Sequence, residues 1–321
     1  MRDKVLVTRK LPGDAVEGLK KDFEVVLNPY DRDLSYEEMM RMAKRCSGLL
    51  SILNNRVDKA FIENNPGLKV ISNYAVGYNN IDLEAAAKYG IVVTNTPGVL
   101  TETTADLAWA LIMACGRRIV EADRYTREGR FTGWVPELFL GEDIYGKTLG
   151  IVGMGRIGTA MARRSLGFNM KIIYYSRSPK PELEKELGAQ SVELDTLMAE
   201  ADYVSIHTPL VPETRHLIDK RRLALMKPTA FLINTARGPV VDEAALVEVL
   251  RERRIAGAGF DVYEEEPELH PGLTEMPNTV LLPHIGSGST ATRVRMAQMA
   301  VDNIAAVLRG ETPRNPVKIP E

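Results

Sequence analysis

The chain has 321 residues, 45% hydrophobic and 26% charged, with a formal net charge of −2. That length exceeds one ordinary hydrophobic core and predicts two domains. The charge balance offers no global positive field for nucleic acid, and the two widely separated cysteines, Cys46 and Cys115, exclude a disulfide framework and suit a reducing compartment.

In chain order, Met1–Thr8 passes directly into a strand with no signal-peptide pattern. Apolar strands are predicted at Lys4–Thr8, Glu24–Leu27, Gly48–Leu53, Lys69–Tyr74 and Ile91–Asn95. Helical patterns at Gly13–Lys21, Ser35–Lys44, Asp58–Glu63 and Leu83–Lys88 alternate with them. This unit closes near Pro97-Gly98. Glu102–Arg118 reads as a long amphipathic helix, with Thr101, Thr103 and Thr104 crowding its start. Its apolar run, Ala105 to Cys115, is too short to span a bilayer and contains Asp106, so a cytoplasmic protein is expected.

Further strands are predicted at Thr148–Val152, Lys171–Tyr175, Tyr203–His207, Ala230–Asn234, Gly257–Asp261 and Thr279–Leu282. Helices such as Arg156–Leu166 and Glu243–Arg251 fall between them, and a last helix near Thr290–Leu308 stops at Gly310. Strand–helix alternation with nearly continuous apolar strands predicts parallel sheets covered on both faces. The fold class is therefore α/β, with two doubly wound, Rossmann- or flavodoxin-like domains. Periodicity alone leaves the last helix free to join either one.

Gly153-Met154-Gly155-Arg156-Ile157-Gly158 lies between a predicted strand and a predicted helix, the context a dinucleotide fingerprint requires. Gly153 serves a tight turn, Gly155 a close approach of backbone to pyrophosphate, and Gly158 helix–strand packing. The helix start offers N–H groups and partial positive charge to the phosphates. The next strand ends in Ser176-Arg177-Ser178, where an NAD site usually carries an acid for the ribose 2′-hydroxyl. Hydroxyls and a guanidinium suit a 2′-phosphate instead, so NADP(H) is favoured and NAD(H) remains possible.

Three later strand ends carry Arg237, the run Glu264-Glu265-Glu266, and His284. Ligands of open α/β sheets gather at the carboxyl ends of strands. A guanidinium suits the carboxylate of a 2-keto acid and polarises its carbonyl. A histidine supported by a carboxylate suits proton transfer to the oxygen. Glu266 is the expected partner, while Glu264 and Glu265 read as solvated loop charges. The His216 and His270 segments lack such company, and His207 reads as lining the cofactor. No metal is expected. Taken singly, His284 reads as a satisfied strand-end histidine, Arg237 as a turn cap and Glu266 as a third solvated loop charge.

These residues carry a resemblance. The stretches Val70–Asp82, Asn95–Leu107, Leu149–Gly167, Tyr203–Pro209, Ile233–Asp242, Ala256–Pro267 and Leu282–Gly286 resemble the D-isomer-specific 2-hydroxyacid dehydrogenases, most closely the glyoxylate/hydroxypyruvate reductases. The resemblance implies a discontinuous substrate domain, residues 1–99 plus 287–321, and a cofactor domain, 100–286, with the active-site cleft between them. It implies that Arg237 binds substrate, that Glu266 pairs with His284, and that His284 is the acid/base. It assigns Val76 and Gly77 to the substrate carboxylate. Thr104, Thr235, Ala236, Asp261 and Gly286 fall to the cofactor's surroundings. It implies a homodimer built on the segment Arg117–Lys147, with Phe131, Trp134 and Phe139 exposed and Trp134 reaching the partner's substrate pocket. The implied activity is reduction of a small 2-keto acid, glyoxylate and/or hydroxypyruvate, to the D-2-hydroxy acid. Alternatives are a D-lactate- or phosphoglycerate-type dehydrogenase, or a cofactor-sensing corepressor-like protein on the same fold. No membrane or nucleic-acid partner is expected.

Overall fold

The structure is a computed structural model that describes residues 2–318. Residues 1 and 319–321, the outer ends of the predicted substrate domain, lie outside the described residues. The chain forms two units, Met1–Leu100 with Ser287–Glu321, and Thr101–Gly286.

The first unit opens with β1 (Lys4–Val7), α1 (Ala15–Leu19), β2 (Glu24–Leu27), α2 (Tyr36–Ala43), β3 (Gly48–Ser51), α3 (Lys59–Glu63), β4 (Val70–Asn73), α4 (Leu83–Lys88) and β5 (Val92–Thr94). Its strands pair in parallel in the order β2-β1-β3-β4-β5. The central strands are buried on both faces, which is why Val5, Leu6, Leu49, Leu50, Val70 and Ile71 run without polar alternation. Helix starts are fixed by side-chain caps: Ser35 and Glu38 form a capping box on α2, and Asp58 and Asp82 cap α3 and α4.

The second unit continues with α5 (Thr101–Gly116), α6 (Ile119–Arg127), β6 (Thr148–Val152), α7 (Arg156–Ser165), β7 (Lys171–Tyr175), α8 (Pro181–Leu187), β8 (Gln190–Ser191) and α9 (Leu194–Glu200). It runs on through β9 (Tyr203–Ile206), α10 (Lys220–Leu223), β10 (Phe231–Asn234), α11 (Glu243–Arg251), β11 (Gly257–Phe260), α12 (Pro271–Glu275) and β12 (Thr279–Leu281). Seven strands lie in the order β12-β11-β10-β9-β6-β7-β8, all parallel. Strand order reverses between β6 and β9, the switch point where such sheets bind ligands. Finally α13 (Thr290–Leu308) returns to the first unit, where Ala297, Ala300, Val301 and Ile304 join the core beside Val5, Val7, Leu50 and Val70.

Two expectations change. The helix predicted to Arg118 ends at Gly116, and Arg118, at φ 53°, breaks it from α6. A bulky residue in that left-handed region is uncommon and turns the chain sharply. Phe139, expected exposed, is half-buried, edge-on to Tyr125 with ring centroids 5.2 Å apart. Among the described residues no helix is long and apolar enough to cross a membrane.

Candidate active site

The fingerprint turn sits at the switch point. Gly153 has φ 101°, and a Cβ there would lie 2.8 Å from the carbonyl carbon of His207, so the turn after β6 rests on the backbone after β9. A Cβ on Gly158 would meet the Gly153 oxygen at 2.2 Å, so α7 lies directly on the turn. Gly155 is different: nothing lies within 4 Å of its missing Cβ, and it begins α7 without a side-chain cap. The first N–H groups of the helix are thus left for a ligand. Around them Met154 is buried, Ile157 half-buried and Arg156 exposed. Thr235, at the end of β10, has a buried hydroxyl with no hydrogen-bond partner in the structure, and the Ala236 N–H donates to Asn234 Oδ1 at 3.0 Å. An uncapped helix start and an orphaned buried hydroxyl fit a bound dinucleotide. Ser176 is half-buried, and Arg177 and Ser178 are exposed, where the chain leaves β7. His207 shares a 2.8 Å hydrogen bond with Ser205 Oγ, and burial pushes its imidazole down to about 3, so it is neutral at physiological pH.

Because β9, β10, β11 and β12 are consecutive neighbours and all parallel, the segments after them lie side by side. That arrangement brings together residues spread over the whole second unit. His284 comes after β12 at φ 54°, the left-handed region. Asp261, 1% exposed, holds this turn: its two oxygens accept the N–H groups of Ile285 and Gly286, each at 2.7 Å. Burial raises the Asp261 carboxyl's pKa against those hydrogen bonds and the charge of His284. Gly286 leaves room here, since a Cβ would stand 3.2 Å from Asp261 Oδ2 and 3.5 Å from Thr104 Cγ2.

His284 Nδ1 lies 2.8 Å from Glu266 Oε2. The other Glu266 oxygen accepts the Tyr263 N–H at 3.0 Å, and the Tyr263 hydroxyl donates to the Leu282 carbonyl at 2.8 Å. With Nδ1 engaged, Nε2 is the ring nitrogen left to exchange a proton. Burial works to raise the Glu266 carboxyl's pKa. The hydrogen bond and charge of His284, the Tyr263 N–H and the charge of Arg237 outweigh it and set it below the ordinary value. Arg237 is half-buried and donates through Nη1 to the Ala236 carbonyl at 2.7 Å. Burial lowers its pKa, and the charge of Glu266 opposes that.

Three further predicted site residues lie on other segments of the chain. Trp134 is 85% exposed in the segment after α6. Val76 and Gly77 belong to the first unit. There Asn95 Nδ2 donates to the Val76 carbonyl at 2.7 Å and Asn73 Nδ2 to the Gly77 carbonyl at 2.8 Å. Neither N–H donates to a backbone acceptor among the described residues. Sequence reasoning missed a second acid–histidine pair. Glu264 is not a solvated charge, because its side chain is only 16% exposed and its Oε1 lies 2.5 Å from His216 Nε2. A run of three acids on a loop carries no sequence signal that separates these roles.

Residues 109–286 match the family model of the D-isomer specific 2-hydroxyacid dehydrogenase NAD binding domain. The chain belongs to that family: it is an oxidoreductase that uses a nicotinamide dinucleotide. Its relatives are close. A glyoxylate reductase from Thermococcus kodakarensis is 50% identical over 317 residues, 98% of this chain and 95% of its own. A crystal structure of a protein from Thermus thermophilus superposes with a TM-score of 0.91 at 48% identity, covering 98% of this chain and 100% of the other. An NADPH-dependent glyoxylate/hydroxypyruvate reductase from Sinorhizobium meliloti, in complex with NADP and malonate, gives a TM-score of 0.87 at 35% identity, covering 99% of this chain and 97% of the other.

Proposed function

We propose that the chain reduces a small 2-keto acid, glyoxylate and/or hydroxypyruvate, to the 2-hydroxy acid, in the D form where the product is chiral. The observation that carries this reading is the 2.8 Å contact of His284 Nδ1 with Glu266, which leaves Nε2 for the substrate. When bound, the nicotinamide supplies the hydride. Arg237 holds the substrate carboxylate and polarises the carbonyl with its fixed fork of donors. His284 delivers a proton from Nε2 to the carbonyl oxygen as negative charge builds there. Glu266 orients the ring and offsets the imidazolium charge. The Val76 and Gly77 N–H groups supply further donors to the carboxylate, so the first unit is the substrate-binding domain. The second unit is the cofactor domain.

Gly153 to Gly158 and the start of α7 hold the pyrophosphate, and Thr104, His207, Thr235, Ala236, Asp261 and Gly286 line the rest of the cofactor. Ser176, Arg177 and Ser178 take a 2′-phosphate, which favours NADP(H) over NAD(H). The Sinorhizobium relative's use of NADPH supports that preference.

The test is a spectrophotometric screen of glyoxylate, hydroxypyruvate, pyruvate and phosphohydroxypyruvate with NADPH and NADH. Glyoxylate or hydroxypyruvate should give the highest kcat/KM, with NADPH preferred, and Arg177→Ala should erode that preference. His284→Ala should lower kcat by about 10²–10⁴-fold, the worth of a positioned acid, while NADPH binding measured by fluorescence persists. Undiminished turnover in His284→Ala sinks the assignment.

A further inference from the structure

Around Glu264, outside the proposed catalytic residues, lies a closed set of contacts. Its Oε1 meets His216 Nε2 at 2.5 Å and Arg215 Nη2 at 3.2 Å. Its own N–H donates to Glu243 Oε1 at 2.6 Å. Glu243 is 3% exposed and opens α11 directly after the capping Asp242. A buried carboxylate persists only when hydrogen-bonded, so this acceptor is committed to the Tyr263–Glu264 peptide.

The same peptide touches the arginine turn. A Cβ on Gly238 would lie 1.8 Å from the Tyr263 carbonyl carbon, so the backbone just after Arg237 packs on the backbone just before Glu266. The histidine end closes the circuit. His216 lies at φ 49°, and its N–H donates to the Pro239 carbonyl at 2.8 Å, while the Ile218 N–H donates to the Val240 carbonyl at 3.0 Å. The Glu264 side chain therefore ties the segment after β9 to that after β11, and backbone contacts tie both to the segment after β10. From Glu264 the chain of contacts runs through the Tyr263 N–H to Glu266 and on to His284.

We propose that Glu264, gripped by His216 and Arg215 and with its backbone held by Glu243, is a positioning residue: it fixes the Tyr263–Glu264 peptide, and through it the placement of Glu266 against His284 and of the turn bearing Arg237. This rests on the reading of Glu266 and His284 as the acid/base pair. In this role Glu264 acts by removing freedom from the two loops that carry Arg237 and Glu266. A hydrogen-bonded carboxylate at the centre of three loops gives more constraint than apolar packing, because its geometry is directional.

The experiment is steady-state glyoxylate reduction with NADPH across pH for Glu264→Ala, Glu264→Gln, His216→Gln and Glu266→Gln. Glu264→Ala should lower kcat about tenfold, a loss in keeping with a small misplacement of a catalytic group, with the KM for NADPH unchanged within about twofold. Its alkaline limb should move towards that of Glu266→Gln. Glu264→Gln, which keeps an acceptor for His216, should recover most of kcat, and His216→Gln should show the Ala effect in weaker form. The double variant Glu264→Ala/Glu266→Gln should move the limb no further than Glu266→Gln alone, because both changes act through one pair. Wild-type kcat and an unmoved limb in Glu264→Ala overturn the positioning role, provided Glu266→Gln still moves it. Should Glu264→Ala fail to fold, wild-type behaviour of His216→Gln overturns the role in its place. If Glu266→Gln itself leaves the limb in place, the acid/base reading fails instead.

Discussion

At the scale of residues, the His284–Glu266 contact makes a prediction whose sign comes from linkage. The Glu266 carboxyl lies below its ordinary pKa, chiefly because the hydrogen bond and charge of His284 overcome its burial. A depressed carboxyl contributes stability above its unfolded pKa and loses it as pH falls through the folded one. Glu266 is therefore ionised throughout the neutral range. Reduction draws a proton from His284, and the rate should fall once the pH is high enough to remove it. Glu266→Gln keeps the shape and removes the charge. The alkaline limb of kcat/KM for glyoxylate should then move down by about one pH unit, the lower end of the shifts a neighbouring opposite charge produces. A limb that stays put, measured in buffers of constant ionic strength, breaks the pairing.

At the scale of elements, the site is made by the loops that leave the strands. Parallel pairing was legible: apolar runs such as Phe231–Asn234 and Tyr203–Ile206 are buried on both faces, so it shows in the composition, whereas strand order does not. The fingerprint was legible because its spacing is fixed by backbone tasks, the positive φ of Gly153 and the close packing of Gly158, that a side chain would prevent. The features that escaped were local or long-range. β8 spans only Gln190–Ser191, and both residues are exposed, so there is no apolar run to see. α6 buries none of its residues, so its pattern does not announce a core-facing helix. The Glu264–His216 pair joins positions 48 apart, which only the adjacency of β9, β10 and β11 brings together. Gly238 belongs to the same class. Nothing in Arg237-Gly238-Pro239 tells that the Tyr263 backbone lies against the missing side chain. Gly238→Ala must push backbone from backbone, with no flexible side chain to yield. It should destabilise the protein by about 1–3 kcal/mol, the range for overpacking, and lower kcat because both shifted loops carry proposed catalytic groups. A thermal midpoint and a kcat equal to wild type would show that the two loops separate freely.

At the scale of the whole molecule, the second unit carries a surface whose chemistry is unfinished. α6 has no buried residue, and Ile119 and Val120 on it are 49% and 41% exposed. The segment beyond adds Phe131, Trp134, Val135, Leu140 and Tyr145, all at least half exposed. A hollow of about 440 Å³ lies beside them, lined in part by Val120, Leu140, Phe231 and Val280. It abuts the amino ends of β10 and β12, the opposite end of the strands from the segments bearing Arg237, Glu266 and His284. Scattered apolar side chains are ordinary on a surface, but so many on one unburied helix and the loop after it suit an interface. We propose that a second copy of the chain covers it, and that Trp134 reaches the partner's substrate pocket. Leu140→Asp with Val120→Asp places two charges where a dry contact is required. Sedimentation equilibrium should find wild type dimeric at micromolar concentration. The double variant should dissociate at least about tenfold more readily, as expected for the loss of buried anchors. Its thermal midpoint at high concentration should stay near wild type, since neither side chain belongs to a core. A wild-type chain that sediments as a monomer at every concentration removes the proposal. A dimer indifferent to both charges moves the interface to another face.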